Sequence, residues 1–251
     1  MRISFHAALT AVTLAVFAMA GPVPADDEGG HGAWGYGAEY GPSRWGEISP
    51  EFETCATGRR QSPIDIGDGM SPAPFELALD YKPGSATVVN NGHTVQVNVA
   101  AGNMLSVAGK RYELLQFHFH TPSENTFHGM HFPVEAHFVH RDDAGHLAVV
   151  AVMFSPGDGG SLDELPIPAA AGEDISLGES FDPAGSLPAN LGYVVFEGSL
   201  TTPPCSEGVR WIVLKQTVTA KIETLARLGE VLGRNNRPVN PLNGRELRAT
   251  Q

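Results

Sequence analysis

Two histidines one residue apart, in a run that alternates polar with aromatic, suggest metal chemistry. In QFHFH, residues 116–120, a phenylalanine separates His118 from His120. Strand side chains alternate between faces with period two. Gln116, His118 and His120 therefore share one face, and Phe117 and Phe119 take the other. VEAHFVH, residues 134–140, alternates in the same way and groups Glu135, His137 and Val139. If the two strands pair antiparallel, His137 meets His118 and His120 within the ~5 Å reach of cross-strand neighbours. Three neutral imidazoles on rigid strands leave one tetrahedral position free, the pattern of a catalytic Zn²⁺ with water as fourth ligand. Gln116 and Glu135 each precede a histidine by two residues on the same face. Each is placed to accept that ring's second N–H and fix its tautomer.

The spacing also fits another chemistry. His118-x-His120-x-x-x-Glu124 matches the metal motif of a cupin barrel, where Glu124 would be a ligand to iron or manganese in an oxygenase or isomerase. In the zinc reading Glu124 accepts a hydrogen bond and does not touch the metal. The motif alone leaves both open. His31, His128, His131, His140 and His146 lie in polar or turn contexts and are expected to face solvent or to be merely hydrogen-bonded.

The elements that must hold these residues are short strands. Runs at 77–81, 86–89, 93–99, 104–107, 112–120, 134–140, 147–154, 193–197 and 209–214 are rich in Val, Phe and Tyr, with turn residues between them. Asn90-Asn91-Gly92 and Asp143-Ala144-Gly145 are hairpin signals, and short connections favour antiparallel neighbours. One amphipathic helix is expected over 220–232, with Thr219 as N-cap, Ile222, Leu225 and Leu232 near one stripe, and Gly233 at its end. Residues 155–192 are rich in Gly, Pro, Ser and Asp and read as a surface excursion with little regular structure. The expected fold is mainly β (α+β): one domain with a large twisted, mostly antiparallel central sheet and a few peripheral helices.

The composition suits a globular chain of 251 residues, 42% hydrophobic and 18% charged, with a formal net charge of −12. Nucleic acid and anionic membrane surfaces reward basic patches, so neither is an expected partner. Residues 1–25 stand apart. Arg2 precedes a nearly uninterrupted apolar run over 7–20, followed by small residues at Ala18-Met19-Ala20 or Val23-Pro24-Ala25. This is the pattern of a secretory signal peptide, too short for the roughly 20 apolar residues of a membrane span. Cleavage after Ala25 would leave 26–251 as the mature, periplasmic or secreted domain, with no membrane insertion; cleavage after Ala20 is the alternative. Cys55 and Cys205 are the only cysteines, and in an exported chain they are expected to form one disulfide.

Taken together, QFHFHTPSE, EAHFVH and GSLTTPPCSEGVRWIV resemble the α-class carbonic anhydrases, in their bacterial secreted branch. WGYG (34–37), QSPIDI (61–66), NNGH (90–93), FDPAGSLP (181–188) and NNRPVNPLNGR (235–245) extend the likeness collinearly along nearly the whole mature chain. The resemblance implies a lyase that hydrates carbon dioxide reversibly to bicarbonate and a proton. One Zn²⁺ per chain would be held by His118, His120 and His137, with zinc-bound hydroxide attacking CO₂. Thr201 matches the acceptor that orients the hydroxide, and Glu124 the carboxylate that takes the Thr201 proton. A hydroxyl both donates and accepts while an ionised carboxylate only accepts, so this pairing places Glu124 behind Thr201 and counts against the cupin reading. Val139, Val149, Leu200, Val209 and Trp211 match the apolar wall around CO₂, with Thr202 lining the same cleft. Tyr36, Asn91 and Gln96 match positions that order water, His93 matches the proton shuttle, and the Asn235 carbonyl matches the acceptor behind His120. Asn125 departs from the family, where histidine is common, and a looser packing below the metal is expected there. A homodimer is left open.

Overall fold

The computed structural model describes residues 34–73 and 75–250; the leader assigned to 1–25 lies outside them. Ten strands form the main path of the sheet, with Ser71–Pro72 at its end. The other nine are β1 (Gly84–Asn90), β2 (Val95–Val99), β3 (Lys110–His120), β4 (Val134–Arg141) and β5 (Leu147–Pro156), then β6 (Asp174–Phe181), β7 (Tyr193–Ser199), β8 (Glu207–Leu214) and β9 (Arg248–Ala249). Their order across the sheet is β6-β1-β2-β3-β4-β5-β8-β7-β9, and among the described residues thirteen strands join it. Most neighbours are antiparallel, as the short connections require. The exceptions are β5 with β8, β5 with Val218–Ala220, and β9 with Ser71–Pro72.

Period-two alternation becomes two apolar layers. On one face Phe117 and Phe119 of β3 pack with Ala136 and Phe138 of β4, Phe117 stacking on Phe138 with ring centroids 4.6 Å apart. On the other, Val149, Val209 and Trp211 belong to a smaller cluster with Ile64, Ile66 and Phe196. The histidines project on this second face.

Three local expectations change. The helix α1 runs Ile222–Leu232, with Lys221 and not Thr219 at its N-cap. Thr219 instead extends the Val218–Ala220 strand against β5 and donates its hydroxyl to the Gly159 carbonyl at 3.0 Å. A sheet ladder satisfies this backbone and overrides the helical pattern. Ile222 is 63% exposed while Leu225 and Leu228 are buried. At 100° per residue Ile222 lies roughly 90° from the centre of the buried stripe. The excursion at 155–192 contains β6, which pairs with β1 despite two register shifts. Ile175 and Leu177 pack on the larger apolar layer, a two-residue signal hidden among Ser, Gly, Asp and Glu. The expected strand from 93 begins at Val95, because Asn91 Oδ1 accepts from the His93 and Thr94 N–H groups and closes a turn through Gly92 at φ +88°. Among the described residues no helix is long and apolar enough to cross a membrane.

Candidate metal centre

β3 and β4 pair in the register that the alternation requires: His118 opposite His137, His120 opposite Glu135, and Gln116 opposite Val139. A one-residue irregularity between Leu114 and Gln116 sets this alignment. The three histidines offer ligand nitrogens within 4.8 Å of one another.

Each ring has its other nitrogen against an acceptor. His118 Nδ1 donates to Gln116 Oε1 at 2.9 Å, and His120 Nδ1 to the Asn235 carbonyl at 2.7 Å. His137 Nε2 lies 2.9 Å from Glu135 Oε1, close but without the angle of a well-formed hydrogen bond. The nitrogens left over are Nε2 of His118, Nε2 of His120 and Nδ1 of His137. His120 Nε2 is buried and has no partner among the described residues. Burial holds all three imidazoles below their ordinary pKa, and their neighbouring rings add to this for His118 and His137. Neutral imidazole is the form that offers a lone pair to a cation. The donor set, its three-fold count and its orphaned buried nitrogen fit Zn²⁺.

Glu124 lies behind this centre. Its Oε1 accepts from the Arg237 N–H at 2.8 Å, while Oε2 is 3.5 Å from His120 Nε2 and 3.8 Å from His137 Nδ1. Burial pushes the Glu124 carboxyl well up; the Arg237 N–H and the nearby Thr201 side chain act in the opposite sense. Oε2 lacks a partner of full hydrogen-bond geometry. A divalent cation among the imidazoles would itself favour the ionised carboxylate. Glu135 is buried too, and burial raises its pKa against the pull of Asn125. It accepts from the Glu124 and Asn125 N–H groups and from Asn125 Nδ2, at 2.6 to 2.8 Å. Asn125 also accepts from the Ile64 N–H at 3.1 Å. The loosening expected at Asn125 is absent: the shorter amide is bonded at both ends.

Val139, Val149 and Trp211 stand in register on β4, β5 and β8, and the Trp211 indole meets the His137 ring edge-on at 4.8 Å. Val209 is buried on the same sheet, with Thr201 buried and Leu200 and Thr202 half-buried on the turn joining β7 to β8. That turn is fixed at several points. Ser199 and Ser62 bond reciprocally, and Leu200 N–H donates to the Ser206 carbonyl. Cys205, at φ +57°, is bridged to Cys55 and its carbonyl accepts from Gln61 Nε2.

The expected water-ordering residues are placed less uniformly. Tyr36 is half-buried, with a pKa raised first by burial and then by Glu124. Asn91 spends its oxygen on the turn, and Gln96, opposite His118 on β2, donates to Asn98 at 2.7 Å. His93 is half-buried, not freely exposed, and stacks on Trp34 with centroids 4.0 Å apart and planes 8° apart. Arg237 is a residue the motifs did not single out. Its buried guanidinium donates to Gln61 and to the Ser62 and Cys55 carbonyls, which fixes the N–H aimed at Glu124. The motif NNRPVNPLNGR contains it without revealing its role, because its partners are 175 to 182 positions away in sequence.

A model of the eukaryotic-type carbonic anhydrase family matches residues 40–251. The chain is 46% identical over 224 residues to a carbonic anhydrase of Neisseria gonorrhoeae, covering 86% of this chain and 88% of that protein. It is 43% identical over 218 residues to one from Pectobacterium carotovorum, with 84% and 88% covered. Among solved structures, the α-carbonic anhydrase of Thermovibrio ammonificans in complex with sulfanilamide superposes with a TM-score of 0.84 at 44% identity, covering 88% of this chain and all of that one.

Proposed function

The chain belongs to the eukaryotic-type carbonic anhydrase family and hydrates carbon dioxide reversibly, and on that premise we propose how its own residues divide the work. The observation that carries the reading is the convergence of three imidazoles, His118 half-buried and His120 and His137 buried, each backed by an acceptor. His118, His120 and His137 hold the metal, and Gln116, Asn235 and Glu135 fix their tautomers. Zinc bound there supplies a Lewis acid that brings the pKa of water to about 7, a value established for carbonic anhydrase itself and not obtained from this chain.

Thr201 is the orienting residue. With its hydroxyl proton committed to Glu124, its oxygen lone pairs are left to accept from the attacking group, which keeps that group's own lone pair towards CO₂. Arg237 and the buried surroundings hold Glu124 in place. Val139, Val149, Leu200, Val209 and Trp211 exclude water and offer CO₂ an apolar wall, with Thr202 at its rim. Tyr36, Asn91 and Gln96 line the route by which His93 carries the released proton outward.

The mature domain is residues 26–251, exported to the periplasm or beyond after removal of the leader. The signal-peptide pattern supports this, as does a cysteine pair joined in a disulfide, a bond favoured in oxidising compartments. A stopped-flow CO₂ hydration assay, run with and without a zinc chelator, tests the reading. Activity that follows zinc content is expected; activity that survives complete zinc removal refutes it.

A further inference from the structure

Every polar atom of Asn235 is committed to one of two places, the metal-bearing strand or the turn that carries His93. Asn235 is 1% exposed and lies just beyond Gly233, where α1 ends. Its carbonyl accepts from His120 Nδ1, and its N–H donates to the Thr121 carbonyl at 3.2 Å. Oδ1 accepts from the Thr121 N–H at 2.7 Å. Nδ2 donates to the Phe119 carbonyl and to the His93 carbonyl, each at 3.0 Å. One side-chain amide thus joins the backbone beside His120 to the backbone of His93.

A second link lies next to it. The β2–β3 register stops at Gln96 opposite His118, and beyond that rung the buried Thr94 side chain replaces the ladder. Its hydroxyl donates to the Phe119 carbonyl at 2.6 Å and accepts from the Phe119 N–H at 3.2 Å. Phe119, between two metal-holding histidines, is therefore gripped on both backbone groups by the residue that follows His93. The turn itself is closed internally: the Asn91 N–H donates to the Thr94 carbonyl, and Asn91 Oδ1 accepts from the His93 and Thr94 N–H groups. A turn tied to itself moves as a body. The place of the His93 ring relative to the metal centre then depends on what fastens that body to β3.

We propose that Thr94 and Asn235 are positioning residues for the proton path, a clamp that fastens the His93 turn to the β3 backbone between His118 and His120. This rests on the reading of His93 as the shuttle. Transfer steps depend on fixed geometry, and a misplacement of about 1 Å is enough to slow them. A hydroxyl and an amide whose partners are all backbone groups supply that fixity without touching the proton.

The test is Thr94→Val, which exchanges the hydroxyl for a methyl group. Asn235→Ala, which keeps the carbonyl behind His120, is the second variant should Thr94→Val fold poorly. Turnover in dilute and concentrated buffer, normalised to bound zinc, is compared for both, for His93→Ala and for Thr94→Val/His93→Ala. Thr94→Val should lose roughly two- to tenfold in kcat in dilute buffer, the net worth of one hydrogen bond. It should lose less in kcat/KM and recover in Thr94→Ser. Acting through His93, it should make the double variant no slower than His93→Ala. An NMR titration of the zinc-loaded protein gives a readout apart from turnover. The His93 pKa, held down by burial, should rise in both clamp variants as the turn loosens. Additive losses in the double variant, wild-type kcat in both clamp variants, or a His93 titration unmoved in both overturns the proposal. If His93→Ala itself keeps wild-type kcat in dilute buffer, it is the shuttle reading that fails, and the His93 titration alone decides the clamp.

Discussion

His118 and His137 face each other across β3 and β4 with ring centroids 5.4 Å apart and ring planes at 82°. This edge-on approach lets two lone pairs converge where stacked rings could not. His120, two residues along the same strand, completes the set at 5.1 Å from His118 and 4.5 Å from His137.

Metal content follows from that geometry. One zinc per chain is expected by elemental analysis, and His118→Ala, His120→Ala or His137→Ala should each lose most of both zinc and activity. Stoichiometric iron, with spectroscopic evidence of Glu124 in its coordination sphere, would restore the cupin alternative.

Thr201→Ala should retain zinc and lose roughly 10²-fold in kcat/KM, in the range for removing one preorganised polar contact. Metal analysis of the same preparation separates this from a loss of the ion. A zinc-replete variant with full activity removes the Thr201–Glu124 pair from the mechanism.

His93 bears on turnover, not on CO₂ capture. With a zinc-water pKa near 7 and a diffusional ceiling of ~10⁹–10¹⁰ M⁻¹s⁻¹, release of the proton directly to water limits turnover to on the order of 10²–10³ s⁻¹. His93→Ala should therefore lower kcat in dilute buffer, spare kcat/KM and respond to added imidazole. Burial holds the His93 pKa below its ordinary value, and the ring stacks on Trp34. Trp34→Ala should accordingly move it upward in an NMR titration. Wild-type kcat for His93→Ala in weak buffer would show another exit for the proton.

The Cys55–Cys205 bridge spans a sequence separation of 150, a closure contributing about 5 kcal/mol in the chain-entropy model. Reduction should lower Tm clearly while leaving zinc bound in the folded state. An unchanged Tm after verified reduction contradicts that contribution.

Stability should fall with pH through His140. Burial holds its folded pKa at about 3, against the weaker upward pull of the Ala148 and Phe138 carbonyls, and Tyr81 Oη lies 2.6 Å from Nε2. The unfolded chain takes up this proton near pH 6.5. The folded state thus binds fewer protons between the two values: stability is complete above about 6.5 and declines towards 3, by up to about 1.4 kcal/mol per pH unit. Denaturant melts at pH 7, 6 and 5 should show a shallower slope for His140→Asn. Equal slopes would assign acid lability to other groups.

Much of the site was legible in the sequence because strand geometry is local. Alternation grouped His118 with His120 on one face of their strand and Glu135 with His137 on one face of theirs, and a period-two rule needs no knowledge of distant residues. The same rule anticipated the apolar layer beneath them, in which Phe117 stacks on Phe138. Tertiary structure decided whatever depended on partners far apart in the chain. It delayed the start of α1 to Ile222 because Thr219 was claimed by a ladder with β5, and it drew β6 out of a polar segment to pair with β1. It set His93 against Trp34 and bonded Asn125 at both ends. These contacts join residues ten to nearly a hundred positions apart, and burial and pairing fix them only once the chain has closed on itself.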